Sequence, residues 1–234
     1  MKLLILTTQT THHTKFVQEI AALWPETKVV IETRPLAAPF DTAHNYLEKQ
    51  DAYERENWFS GDDLCISDVV DTLTVENIND SKTLDLIKGF SPDLVIVFGT
   101  GKILTDIINL VPGRIINLHG GDPEQYRGLD THLWAIYHGQ PEQLITCLHD
   151  VAPDLDTGAV IGKMKIPLHQ NMELFHLRSA NTDCCIRLVL DAVDHFKEQG
   201  ALSTTPQAQK GRYYSFMPAV LKDICVRKFR KLNQ

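Results

Sequence analysis

Short apolar runs alternate with amphipathic stretches through the first half of the chain. Four of these runs have the composition of strands buried on both faces: residues 2–7, 28–33, 93–98 and 114–118. Apolar positions at helical spacing follow most of them, and they predict four helices: residues 11–24, 81–89, 103–110 and 131–138. Strands that alternate with helices predict an α/β fold with a doubly wound, mostly parallel sheet.

The pattern changes in two other parts of the chain. Residues 34–61 contain prolines and show no sustained period, so we expect a long connection there with partial helix over 41–56. Residues 144–149 and 160–166 predict an antiparallel pair added to the sheet. A long amphipathic helix is predicted over 173–197.

Length and composition limit the organisation and the function classes. At 234 residues and 43% hydrophobic content, we expect one folded domain over 1–200 and a short C-terminal extension over 201–234. The net charge of -7 argues against nucleic acid as the main partner. No apolar run reaches the roughly 20 residues that a membrane span needs, and the N-terminus is not typical of a signal peptide, so a cytoplasmic protein is expected.

The cysteines and the basic C-terminus change this picture little. Five cysteines without a C-x-x-C pair indicate neither a disulfide framework nor a zinc site, and no metal is expected. Basic residues are concentrated near the C-terminus, and we interpret them as a solvated helix face or a frayed tail: Lys222, Arg227, Lys228, Arg230 and Lys231. The apolar, aromatic C-terminal segment favours a homodimer.

Candidate chemistry lies where one apolar run ends. The run that begins with Ile115 and Ile116 ends in Asn117, Leu118 and His119. Asn117 and His119 are two residues apart, so their side chains point to the same face of a strand. An amide there can stabilise an oxyanion, and an imidazole can accept a proton from an attacking amine. Asp156, which precedes Thr157 and Gly158, adds a carboxylate, although Asp-Thr-Gly alone is also typical of a turn.

The blocks around these residues carry a family resemblance. Asn117-Leu118-His119, Tyr126-Arg127-Gly128-Leu129-Asp130-Thr131-His132, His149-Asp150-Val151 and Leu155-Asp156-Thr157-Gly158 resemble, in order and spacing, the N10-formyltetrahydrofolate-dependent formyltransferases. That family includes glycinamide ribonucleotide, methionyl-tRNA and sugar-nucleotide formyltransferases. The resemblance implies a formyltransferase-like Rossmann variant over 1–200 with Asn117, His119 and Asp156 at the catalytic positions.

The resemblance also implies a pocket for N10-formyltetrahydrofolate as the formyl donor. The segment that begins where the apolar run 93–98 ends corresponds to the family's donor segment, and a facing loop completes the pocket. The donor segment is Phe98, Gly99, Thr100, Gly101, Lys102, Ile103 and Leu104, and the facing loop contributes Val151 and Asp154. A plain strand-to-helix turn is the alternative for this segment.

The acceptor side departs from two branches of the family. Residues 7–13 contain no glycine, whereas glycinamide ribonucleotide formyltransferases carry a glycine-rich phosphate loop there. Fewer than 40 residues follow the long helix, which we expect to be too few for the tRNA-binding barrel domain. The segment from Lys210 to Pro218 is similar to the short C-terminal segment of the sugar-nucleotide N-formyltransferases. Candidate substrate-binding residues follow the catalytic strand or the first strand: Thr8, Tyr126, Arg127, His132 and Trp134; core packing is the alternative for Trp134.

The expected reaction is formylation of an amine on a nucleotide-linked sugar, such as a dTDP- or GDP-4-amino-4,6-dideoxyhexose of the kind used in O-antigen biosynthesis. Other hypotheses are a glycinamide ribonucleotide or other small-amine formyltransferase, and a hydrolase that releases formate from the same donor. A folate- or nucleotide-binding regulator without chemistry is a further alternative. The intact set of Asn117, His119 and Asp156 argues against the regulator.

Overall fold

The structure is a computed structural model that describes residues 1–233, so the last residue of the predicted extension 201–234 lies outside the described residues. Nine strands occur in this range: β1 (Leu3–Thr8), β2 (Lys28–Glu32), β3 (Thr72–Val75), β4 (Leu94–Phe98), β5 (Ile115–His119), β6 (Tyr126–Gly128), β7 (Ile145–Asp150), β8 (Val160–Lys165) and β9 (Arg212–Tyr214). Seven α-helices accompany them: α1 (Thr11–Leu23), α2 (Asn45–Phe59), α3 (Ser81–Phe90), α4 (Thr105–Leu110), α5 (Thr131–His138), α6 (Leu177–Gln199) and α7 (Ala219–Leu232).

Seven strands form one sheet in the order β3-β2-β1-β4-β5-β7-β8. The strands from β3 to β5 are parallel, and β7 and β8 are antiparallel additions beside β5. The predicted doubly wound sheet with an antiparallel pair is thereby confirmed. The strand order reverses between β1 and β4, and open α/β sheets bind ligands beside the carboxyl ends of such strands.

Helices cover both faces of the sheet because the central strands are apolar throughout. Successive side chains of a strand point to opposite faces. Leu3 and Ile5 of β1 therefore pack with α1 and α6, whereas Leu4 and Leu6 pack on the side of α3 and α4. All four are fully buried. Two apolar layers thus hold the carboxyl ends of β1, β4 and β5 in fixed positions.

The C-terminal segment packs against the rest of the chain. β9 pairs in parallel with β6, and α7 contributes Cys225 and Phe229 to an apolar cluster with Leu133 and Ile136 of α5. Of the two interpretations of the basic end, the frayed tail is wrong, because these residues lie on α7. The solvated helix face is correct for four of the five: Arg227, Lys228, Arg230 and Lys231 are exposed. Lys222 of this helix is buried, and its ammonium donates to the carbonyl of Thr42 at 2.6 Å.

Three short strands are not predicted from the sequence. β3 has four residues and β6 and β9 have three each, so none is long enough to show a periodic pattern. The helix expected over 41–56 runs from Asn45 to Phe59.

No helix within residues 1–233 has the length and hydropathy to cross a membrane.

Replacing Phe229 by Ala tests whether α7 is integral to the fold. Phe229 is fully buried, so we expect the free energy of unfolding to fall by about 3–5 kcal/mol in urea titrations, as for other buried Phe to Ala changes. Val220 of the same helix is 79% exposed, and Val220→Ala should change stability by less than about 0.5 kcal/mol. A loss below about 1 kcal/mol for Phe229→Ala would show that α7 is dispensable.

Candidate active site

A cleft opens at the carboxyl ends of β1, β4 and β5. Its volume is about 450 Å³, within the range that small-molecule sites occupy. Asn117, His119 and Asp156 all line it. The three side chains that the sequence singled out are therefore brought together at the position where this sheet topology favours a ligand.

Asn117 is oriented by a histidine on the neighbouring strand. β7 pairs with β5 so that His149 lies directly opposite Asn117, and Asn117 Nδ2 donates to His149 Nε2 at 3.2 Å. His149 Nδ1 donates to the carbonyl of Asp150 at 2.7 Å, which leaves Nε2 free to accept. Burial lowers the pKa of His149, which favours the neutral ring, and the hydrogen bond from Nδ1 to the carbonyl of Asp150 selects this tautomer. The amide of Asn117 is thus fixed by one N–H, and its second N–H remains for a ligand.

His119 is held in the opposite tautomer. Its Nε2 donates to the carbonyl of Tyr126 at 2.8 Å, so Nδ1 carries no proton when the ring is neutral. Nδ1 lies 3.8 Å from Oδ1 of Asp156, and both side chains are almost fully buried. An unprotonated imidazole nitrogen that faces a cleft can act as a general base, and the nearby carboxylate stabilises the imidazolium that results.

Asp156 adopts the left-handed conformation with φ of 53°, which Asp tolerates better than most residues. Its Oδ2 accepts from the backbone N–H of Gly128 at 2.8 Å, and its Oδ1 lies 3.8 Å from Nε2 of His149 as well as from His119. Gly158 allows this loop to close, because a Cβ at that position would lie 1.7 Å from the carbonyl oxygen of Asp150.

The predicted donor segment is anchored by two side chains from distant parts of the chain. The buried carboxylate of Glu32 accepts from the backbone N–H of Gly101 at 2.7 Å, and Asn79 accepts from the N–H of Leu104 at 2.8 Å. Gly99 has φ of +82°, and a Cβ there would lie 2.4 Å from the ring of His13. A glycine is therefore required at the point where this segment meets the cleft.

Eight of the nine predicted donor-side residues line the cleft: Phe98, Gly99, Thr100, Gly101, Lys102, Ile103, Val151 and Asp154. Leu104, the ninth, lies outside the lining and is half exposed.

The predicted acceptor residues are placed differently. Among them only His132 lines the cleft, and its Nε2 donates to the carbonyl of Ile145 at 2.7 Å. Arg127 donates to the carbonyls of Gly211 and Leu155, and it ties the loop of Asp156 to the C-terminal segment.

The remaining three acceptor candidates also have partners within the protein. Thr8 lies 3.0 Å from the ring nitrogen Nδ1 of His13, Tyr126 stacks on Tyr214, and Trp134 donates to the carbonyl of Ser215. A substrate contact from Thr8, Tyr126, Arg127 or Trp134 stays a prediction.

Sequence reasoning missed several cleft residues. His12, His13, Tyr46, Arg178 and Asn181 line the cleft from α1, α2 and α6. Arg178 pairs with Glu54, which is 124 residues away and fully buried, at 2.7 and 2.8 Å. A contact of that separation leaves no local signal. The His12-His13 pair was the one visible sign, and its position directly after β1 could have placed it here.

The comparisons with known proteins define the class. Residues 6–184 match the formyl transferase family, and the chain belongs to this family. The family resemblance read from the four sequence blocks is thereby confirmed.

The similar proteins are named after different formyl acceptors. A methionyl-tRNA formyltransferase of Finegoldia magna is 24% identical over 173 residues, which are 70% of this chain and 56% of that protein. The chain spans about half the length of the curated relatives that it matches.

Two solved structures share the fold. Rv3404c of Mycobacterium tuberculosis, described as a candidate sugar N-formyltransferase, superposes with a TM-score of 0.63 at 17% identity over 92% of this chain and 75% of that chain. PseJ of Anoxybacillus kamchatkensis, solved with a UDP-linked formamido sugar and tetrahydrofolate, gives 0.53 at 19% identity over 92% and 86%.

Buried histidines make the stability depend on pH. Burial lowers the pKa of His132 to about 4, whereas it is near 6.5 in an unfolded chain. Between these values the unfolded chain binds more protons, so stability falls as the pH falls through this window. For His132 alone we expect a loss of about 2 kcal/mol between pH 7 and pH 5.

The variant His132→Gln should lose less stability than the wild type over that pH range, by about 2 kcal/mol in urea titrations. His195 is exposed on α6, and His195→Gln should leave the pH dependence unchanged. Equal pH dependence in the wild type and His132→Gln would contradict the argument.

Proposed function

We propose that this protein transfers the formyl group of N10-formyltetrahydrofolate to a primary amine. The observation that carries this proposal is the convergence of Asn117, His119 and Asp156 in one cleft with the tautomer of the imidazole fixed. An oxyanion donor, a general base and a supporting carboxylate are the groups that acyl transfer to an amine requires.

In the proposed reaction the amine nitrogen attacks the formyl carbon. Asn117 donates its free N–H to the formyl oxygen as that oxygen becomes negative, a contribution of about 3–4 kcal/mol at other oxyanion sites. The nitrogen loses a proton to Nδ1 of His119, and Asp156 stabilises the imidazolium. The bond between carbon and N10 then breaks, the proton held by His119 passes to N10, and a formamide and tetrahydrofolate leave with the imidazole neutral again.

Folate is the proposed co-substrate because the cleft contains the segment that the family resemblance assigns to the donor. Residues 98–103 line it together with Val151 and Asp154. The tetrahydrofolate bound in the PseJ structure supports the same proposal.

A nucleotide-linked amino sugar is the proposed acceptor. The UDP-linked formamido sugar in the PseJ structure supports it, as does the description of Rv3404c as a candidate sugar N-formyltransferase, and the net charge of -7 opposes a tRNA surface. Methionyl-tRNA is the second candidate, because the curated relatives are methionyl-tRNA formyltransferases.

A cytoplasmic homodimer belongs to the same proposal, and its mass in solution can be measured by light scattering.

An acceptor panel tests the reaction. The protein is incubated with N10-formyltetrahydrofolate and, in separate samples, with dTDP- and GDP-linked 4-amino-4,6-dideoxyhexoses, glycinamide ribonucleotide, methionyl-tRNA or no amine. We expect tetrahydrofolate to form together with a formylated amino sugar. Release of formate without an amine would identify a hydrolase. Efficient formylation of methionyl-tRNA with inert sugar nucleotides would replace the proposed acceptor and keep the chemistry.

Removing a member of the catalytic set should stop turnover without unfolding the protein. We expect Asn117→Ala, His119→Ala and Asp156→Ala each to lower kcat at least about a hundredfold, as the loss of oxyanion donors and general bases does elsewhere. The exposed His195 offers a control, and His195→Ala should keep the wild-type rate. Circular dichroism checks the fold. A variant with near-wild-type turnover would remove that residue from the mechanism.

A further inference from the structure

The wall of the cleft that is built by α2, α5 and α6 differs from the donor side; we call it the acceptor wall. Part of it is apolar, with side chains from three helices and the turn before α6: Leu47, Leu133, Leu174 and Leu177. Polar side chains interrupt this apolar surface: Gln50, Arg178, Asn181, Tyr46 and Asp130. Of these, Tyr46 and Asp130 have the unused hydrogen-bonding capacity described next.

Tyr46 is 8% exposed, and its ring packs in the apolar cluster with Leu133 and Met217. Tyr46 lines the cleft, and its hydroxyl makes no hydrogen bond within residues 1–233. The hydroxyl oxygen is not sealed from solvent, so this unpaired group beside a cavity is a candidate for ligand contact.

Asp130 precedes α5 in the left-handed conformation, with φ of 50°. One of its carboxylate oxygens accepts from the N–H of Met217 at 2.7 Å. The other accepts from no group in the described part of the chain. Burial raises the pKa of Asp130, and burial together with the charge of Asp130 raises that of Tyr46, so the two groups share one partly desolvated region.

The charge of the acceptor wall restricts its ligand. Arg178 is its one cation within residues 1–233, and its guanidinium is already paired with Glu54 and Asp51. Lys102 lies on the donor side. The charge of Lys222 acts on Asp130, but Lys222 does not line the cleft, and its ammonium donates to the carbonyl of Thr42. A phosphate or carboxylate on this wall would therefore meet no free cation of the lining, whereas a hydroxyl or ammonium group would meet Asp130.

We propose that Asp130 and Tyr46 determine acceptor specificity by binding a hydroxylated amine whose amine-bearing end carries no anionic group. Asp130 accepts a hydrogen bond from a hydroxyl or ammonium of the acceptor, and the Tyr46 hydroxyl contacts a second polar group. The leucines of the wall pack against the apolar face of the ligand. Any phosphate of the acceptor then lies outside this wall. The proposal rests on the proposed function, because it names the acceptor end of the same site.

The test measures binding apart from chemistry. Calorimetry of the full chain, saturated with tetrahydrofolate, follows the affinity for free 4-amino-4,6-dideoxy-D-glucose, which has no phosphate. We expect Asp130→Asn and Tyr46→Phe each to weaken this binding at least tenfold and to change the affinity for tetrahydrofolate less than twofold. Asn can still accept from Met217, and Phe keeps the packed ring, so both variants preserve the local structure.

Two variants control for indirect effects. Asp80 precedes α3 and Tyr53 lies on α2, and neither lines the cleft, so Asp80→Asn and Tyr53→Phe should bind the amino sugar like the wild type. Unchanged binding in both Asp130→Asn and Tyr46→Phe overturns the proposal, and so does a wild-type protein that fails to bind the free amino sugar. If binding follows the expected pattern but no formyl group is transferred, the proposed function fails and the recognition pair stands.

Discussion

The antiparallel pairing of β7 with β5 is the contact on which the site depends. A parallel strand at this position would return through a crossover, whereas the antiparallel strand places His149 directly opposite Asn117. The same strand leads into the loop that carries Asp156 to a point 3.8 Å from both imidazoles. One register therefore fixes the amide, its orienting histidine and the carboxylate, and a shift of one residue would turn His149 away from Asn117.

Buried carboxylates extend this control to the two walls. Glu32 at the end of β2 holds the donor segment through the N–H of Gly101, and Glu54 on α2 holds Arg178 of α6. Removing one member of a buried pair leaves the other without compensation, which costs about 3–5 kcal/mol elsewhere. Burial raises the pKa of Glu54 against the opposing effect of Arg178. Each wall thus carries one buried carboxylate contact in addition to its apolar packing.

The sequence predicted what is encoded locally. Uninterrupted apolar runs revealed the central strands, and Asn117 and His119 were visible because polar residues end such a run. The acceptor wall could not be predicted in this way. Tyr46 and Arg178 meet in the cleft only after α2 and α6 pack together, and nothing in either helix marks those positions. Arg127 was selected by its charge and its place after the catalytic strand; its Nε and Nη1 donate to Gly211 and Leu155, and a substrate contact from its other donors stays a prediction.

The C-terminal segment contacts both the loop of Asp156 and the start of α5. Its backbone accepts from Arg127 of β6 and from Trp134 of α5 and donates to Asp130, so it braces β6 and α5 together.

The same segment also reaches the predicted catalytic set. Asn117 and His119 lie on β5, which the apolar layers hold. Asp156 lies on a loop, and Gln207 donates to the carbonyls of Asp156 and Gly158 at 3.0 and 2.8 Å. A change in the segment after α6 can therefore shift the carboxylate of this loop together with the start of α5, while the two residues on β5 stay in place.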